Sequence, residues 1–120
     1  MTGNPLVVAI PHGDKVLASF RQATGYTNPA VMTGDFTMKP IPDGTFVNDT
    51  AFSYTFLCSK CISTDVSKGL VIYNAPEVNI MGWAFSDDAL TDSSTASAEL
   101  NYHNGGFGAF GLPMVRYPTL

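Results

Sequence analysis

Apolar and polar positions fall into short runs with a period of two, and no stretch sustains the 3.6-residue stripe of an amphipathic helix. Leu6 to Ile10 is a continuous apolar run with β-branched residues, which predicts a buried strand. Pro11 to Asp14 reads as a turn. Lys15 to Gln22 alternates behind it, with Val16, Ala18 and Phe20 on one face and Leu17, Ser19 and Arg21 on the other. These two segments predict a hairpin. Ala23 to Pro29 is a loop with Tyr26 near its centre, and Asp35 to Lys39 is a short strand that ends at Pro40, Pro42 and Gly44. Ala51 to Cys58 has the clearest alternation: Phe52, Tyr54 and Phe56 are expected to face the core, and Ser53 and Thr55 to face away. Leu70 to Tyr73, Ile80 to Phe85 (with Trp83 expected in the core) and Phe107 to Leu112 complete the strands. Pro113 and Pro118 make the tail irregular. Short strands at fairly regular spacing predict an all-β fold, an antiparallel β-sandwich of immunoglobulin-like type, as a single domain over residues 1–120.

Composition narrows the functions. Charged residues make up 13% of the 120, against about 25% in a typical globular domain. Gly, Pro, Ser, Thr and Asn fill the gaps, which suits a secreted, extracellular β protein with many turns. A net charge of −4, with six scattered Lys and Arg residues, argues against nucleic acid, which needs a basic face. No apolar run approaches the length of a membrane span. Leu6 to Ile10 is too short for a signal-peptide core and no basic residue precedes it, so no targeting segment is expected within the chain.

Candidate chemistry concentrates in Asn101 to Gly111, which holds one of the two histidines, several glycines and three aromatic rings. Glycine allows close backbone approach, and a neutral imidazole is a good ligand for haem iron. The other reading of the stretch is a glycine-rich hairpin with a surface histidine. Cys58 and Cys61 admit a disulfide, a redox pair or a zinc site. A redox pair wants a neighbouring βαβ pattern, which is missing. Zinc would need His12 and His103, neither at the expected spacing. Asn48-Asp49-Thr50 is a glycosylation acceptor sequence, which places Asn48 on a surface loop if the chain is secreted. Asp87, Asp88 and Asp92 read as a solvated acidic loop, because a calcium site needs more oxygens at fixed spacing. No serine has nucleophile-elbow framing, and no Gly-x-Gly-x-x-Gly follows a strand. No catalytic residues are assigned.

Five segments, taken together, resemble the b-type cytochrome domain of fungal cellobiose dehydrogenase. They are Met1 to Ala9, Ala23 to Pro29, Phe56 to Cys61, Gly82 to Ser86 and His103 to Gly111, in the family's order and at similar spacing. The resemblance implies an antiparallel β-sandwich that holds haem b between a methionine and a histidine. Met1 and His103 fall on those two iron ligands, and Tyr26 on a tyrosine that hydrogen-bonds a haem propionate. Cys58 and Cys61 fall on a disulfide. Phe107 and Phe110 are candidate walls for the ring. The resemblance further implies electron transfer from a flavin dehydrogenase domain to an acceptor such as a copper polysaccharide monooxygenase. The chain departs from the family in starting at the methionine position, so the sandwich is expected to be incomplete at its N-terminus.

Two functions follow. The first expectation is a haem-free, non-enzymatic secreted protein that acts by binding or recognition of a protein receptor, of the kind found among small immunomodulatory fungal proteins. The alternative is a haem b electron-transfer domain with Met1 and His103 as ligands and a redox partner. Sugar stacking on Tyr73, Trp83 or Tyr102 is a weaker option. Strand edges left open at the N-terminal side predict a homodimer, unless the tail from Met114 to Leu120 folds back over the edge.

Overall fold

The hairpin at the start of the chain forms where the pattern puts it. In the computed structural model, which describes residues 4–71 and 78–113, β1 (Pro5–His12) pairs antiparallel with β2 (Lys15–Gln22) along their whole length. Their two-residue loop opens with Gly13 at φ +62°, the left-handed conformation that such a turn needs at its first position. β3 (Ala30–Val31) joins the far side of β2. Three further sheets have two strands each. β4 (Thr37–Pro40) pairs with β7 (Phe56–Ser59), β5 (Phe46–Val47) with β6 (Phe52–Ser53), and β8 (Val78–Phe85) with β9 (Gly106–Pro113). Every ladder is antiparallel, and the fold is all-β. A 3-10 turn, Pro42–Gly44, and an isolated parallel bridge between Ile62 and Leu70 lie between the sheets. No helix among the described residues is long and apolar enough to cross a membrane.

The structure corrects the longest predicted strand. Ala51 to Cys58 breaks at Tyr54 and Thr55, so its two halves join different sheets. Side chains compete with the ladder here. Ser53 and Thr55 hydroxyls both donate to the Gly44 carbonyl, at 2.9 and 2.8 Å. The Thr55 N–H donates to the Thr45 hydroxyl at 3.2 Å, and the Thr55 carbonyl accepts from Ile41 at 2.8 Å. The break changes which rings are inside. Phe52 is exposed, contrary to the alternation, while Tyr54 and Phe56 are half-buried and stack at 4.9 Å. Burial also pushes the Tyr54 phenol above its ordinary pKa. The predicted strand at Leu70 to Tyr73 shows only the Leu70 bridge; Val71 joins no ladder, and residues 72 and 73 lie outside the described residues.

The most buried large side chain is polar. Ile10, Phe20, Ala23, Cys61 and Ala98 are buried, and Arg21 is buried with them at 1% exposure. Phe20 also meets Phe36 edge-on at 4.9 Å. The Arg21 guanidinium donates to the Ala96 carbonyl at 2.8 Å and to the Ser19 hydroxyl at 3.2 Å. Ser19 in turn donates to the same carbonyl at 3.0 Å. The face of β2 that carries Ser19 and Arg21 is therefore covered by the loop that precedes β9. Burial lowers the Arg21 pKa from its ordinary value, yet a guanidinium stays charged at neutral pH.

Cys58 and Cys61 form a disulfide with Cα atoms 5.7 Å apart. Lys60, between them, takes φ +58°. Alkylation of unreduced protein is expected to label neither cysteine, and two labelled thiols would contradict the bond. Arg21→Ala is expected to cost about 2–4 kcal/mol in urea unfolding, since it removes charged hydrogen bonds and buried packing together. A loss under about 0.5 kcal/mol, the range of a surface substitution, would show that Arg21 is no anchor.

Candidate functional site

The β8–β9 hairpin is built on aromatic rings laid over glycine backbone. Trp83 pairs across the ladder with Gly108 and Phe85 with Gly106. A Cβ on Gly108 would come within 2.9 Å of the Trp83 indole, and one on Gly105 would overlap the Phe85 ring. The glycines are thus the room in which these rings lie. Trp83 and Phe85 are themselves stacked, with centroids 6.0 Å apart. Trp83 is 45% exposed and not a core residue as its strand position suggested. No further strand pairs with this hairpin among the described residues.

The loop that carries His103 is fixed by asparagines. The Asn104 side-chain oxygen accepts from the Asp87 N–H at 2.9 Å and the Ser86 hydroxyl at 3.1 Å, and its amide donates to the Asp88 carboxylate at 2.8 Å. The Asn101 amide donates to the Ala89 and Asp88 carbonyls at 3.0 and 3.2 Å. The Gly105 N–H donates to the Phe85 carbonyl at 3.1 Å. Asn28 donates to the Leu100 carbonyl at 2.8 Å, which ties the Tyr26 loop to the same region.

His103 is held between rings. Tyr102 stacks on it at 4.4 Å, and Phe107 meets it edge-on at 5.2 Å. Its Nδ1 is buried and has no hydrogen-bond partner among the described residues. A buried polar atom left unpaired costs about 1–3 kcal/mol, so such an atom points to a ligand or to function.

Tyr26 and His103 border one cleft of about 1870 Å³. Residues of β1, of the Tyr26 loop and of β8 line it, with Trp83 and Phe85 among them. Asp88 is the one acidic or basic side chain, histidine aside, in the described lining. Tyr26 is fully exposed at the rim. Phe107 and Phe110 do not line the cleft. Phe107 packs on His103, and Phe110 lies across from Met81. Met1 lies outside the described residues. His12 is exposed, with its Nδ1 2.9 Å from the Ser93 hydroxyl. Asn48 is exposed on the β5–β6 connection, where its side-chain oxygen accepts from the N–H groups of Thr50 and Ala51. The acidic residues divide their roles. Asp88 serves the Asn104 clamp, while Asp92 accepts from the Ser94 hydroxyl and N–H, which lowers its pKa. The clamp role of Asn28, Asn101 and Asn104 escaped sequence reasoning, although all three lie in segments it singled out, because an asparagine near glycines reads equally as turn chemistry.

The fold and site define an antiparallel β domain with an aromatic cleft edged by a rigidly held histidine. The sequence matches the family model of the cytochrome domain of cellobiose dehydrogenase over residues 1–117, and the chain belongs to that family. Among solved structures it is similar to the cytochrome domain of Myriococcum thermophilum cellobiose dehydrogenase. The identity is 32% and the TM-score 0.74, over 95% of this chain and 55% of that one. The chain thus spans a little over half the length of that structure. Family membership supports the haem-bearing alternative over the haem-free expectation.

Asn104→Ala is expected to cost about 1–2 kcal/mol for its exposed hydrogen bonds. It should also speed amide exchange at Asp87 and Gly105 selectively. Unchanged exchange there would show that the loop is held by other contacts.

Proposed function

We propose that this chain is an electron-transfer module that takes one haem b in the cleft beside His103. The observation that carries the reading is the His103 imidazole, held between Tyr102 and Phe107 at the cleft with Nδ1 buried and unpaired. Neutral imidazole has one N–H and one lone pair, and this ring has no hydrogen bond at Nδ1 among the described residues. The donor set fits the group: an imidazole for iron, apolar and aromatic walls for the macrocycle, and an exposed tyrosine at the rim for a propionate. Haem b, if bound, would supply a one-electron iron couple, whose potential a methionine ligand in addition to the histidine would raise.

The chain's own residues do the rest. The Asn104 and Asn101 hydrogen bonds hold His103 at a fixed position, so a ligand there needs little reorganisation. Trp83 and Phe85 give the cleft an apolar, aromatic wall. Tyr26 offers a hydroxyl where solvent and cleft meet. Met1 is the second ligand in this reading, by its position in the family motif. Held by His103 and Met1, the group would supply one-electron transfer, the chemistry that a histidine and methionine ligand pair suits. The partners would be a flavin-type dehydrogenase as donor and an extracellular oxidant enzyme as acceptor. Secretion is part of the proposal. Its supports are the Cys58–Cys61 disulfide, which fits an oxidising compartment, and the exposed Asn48 acceptor site.

Haemin titration tests the reading. The protein should turn red, with a Soret band that sharpens on reduction, and His103→Ala should abolish the six-coordinate spectrum. Removal of Met1 should weaken it. A protein that stays colourless through the titration, or a spectrum indifferent to His103→Ala, overturns it.

A further inference from the structure

We propose that Asn104 is a site of spontaneous deamidation, and that the acid it yields unfastens the loop that carries His103. Asn104 is the one asparagine of the chain that is followed by glycine. The carbonyl carbon of an asparagine side chain is open to attack by the backbone nitrogen of the next residue. A side chain on that residue hinders the approach, and glycine has none. Proline at that place removes the N–H altogether, as it does after Asn4 and Asn28. Asn79 and Asn101 precede Ile80 and Tyr102, which are bulky.

The fold requires both members of the pair. The Asn104 side chain accepts from the Asp87 N–H and the Ser86 hydroxyl and donates to the Asp88 carboxylate. An amide accepts and donates at once, whereas an ionised carboxylate only accepts. Gly105 lies against Phe85, where a Cβ would overlap the ring and come within 3.0 Å of the Asp87 carboxylate. A larger residue that would slow the attack therefore does not fit. The same contacts shield the pair in the folded chain. The Gly105 N–H is engaged by the Phe85 carbonyl at 3.1 Å, and three hydrogen bonds hold the amide it would attack. The reaction therefore runs through local opening of the loop. Asn104 is exposed, so water reaches it.

In the open loop the Gly105 nitrogen gives up its proton and bonds to Asn104 Cγ. The bond from Cγ to the side-chain nitrogen breaks, and that nitrogen takes up a proton and leaves as ammonia. Water then opens the succinimide ring. Opening at the side-chain carbonyl restores the main chain with an aspartate; opening at the main-chain carbonyl gives isoaspartate, whose main chain runs through Cβ and Cγ. Nothing is oxidised or reduced. The aspartate can keep both acceptor bonds, but it sets a second carboxylate against Asp88 where the amide donated at 2.8 Å. Like charges at that distance disfavour each other. Isoaspartate lengthens the main chain ahead of Gly105 and so displaces the contact with Phe85. Either product loosens the residue next to His103. The inference does not rest on haem binding.

The test uses the whole haem-free chain, incubated at mildly alkaline pH with and without urea. Peptide mapping by mass spectrometry follows the amide-to-acid mass change at each asparagine. In urea Asn104 should convert first. In the folded chain it should convert slower by about tenfold or more, because opening the loop breaks several hydrogen bonds. Asn104→Asp reproduces one product directly. It should speed amide exchange at Gly105 by about tenfold and leave β1 and β2 as protected as before. Conversion of another asparagine ahead of Asn104 in urea, or equal rates in the folded and unfolded chain, overturns the proposal. So does exchange in the Asn104→Asp chain that is unchanged at Gly105, or raised equally in β1 and β2.

Discussion

The placement of His103 depends on one side chain, Asn104. Its amide group joins three consecutive residues, Ser86 to Asp88, to the residue next to the histidine. Glycines follow at 105 and 106, and glycine offers the backbone no restraint of its own. Loops carry function only when a rigid scaffold holds them. Here the scaffold is the end of β8, and the asparagine transmits its position to the imidazole. The Asn101 and Asn28 hydrogen bonds extend the same tie to the acidic loop and to the Tyr26 loop.

The hairpin behind this loop has a different logic. Its rings rest on glycine backbone, so large apolar surface is packed without a facing sheet. Trp83 and Phe85, which line the cleft, nevertheless remain substantially exposed. A contiguous apolar patch is uncommon on a free domain and marks a binding surface or a ligand groove. The proposed cofactor, a flat ring, would cover the part of this surface that lines the cleft.

In the first hairpin the polar anchor is Arg21. It lies in the strand that pairs along its full length with β1, and it grips the Ala96 carbonyl. Ala96 belongs to the long loop that leads to His103. One buried guanidinium thus joins the first hairpin to the segment that bears the site. Hydrogen bonds to a charged donor are the stronger kind, and breaking this one leaves polar groups buried without partners.

Local pattern determined the strands whose partners are local. The β1–β2 hairpin was legible because alternation, a Gly-containing turn and pairing all lie within eighteen residues, 5–22. The cysteine pair was legible from its spacing and the family likeness, and the histidine loop from its glycines and the same likeness. Tertiary structure decided what depends on distant groups. Ala51 to Cys58 alternates as one strand, yet Gly44 and Thr45 capture its middle through Ser53 and Thr55, and no pattern within the segment encodes those partners. Arg21 alternates as an outward residue, but the carbonyl that buries it lies 75 positions away. Trp83 reads as core from its neighbours, although its ring covers Gly108 and borders a cleft. Periodicity reports which side chains share a face. Which faces are covered, and by what, is set by contacts between segments far apart in the chain, and those follow from packing the whole.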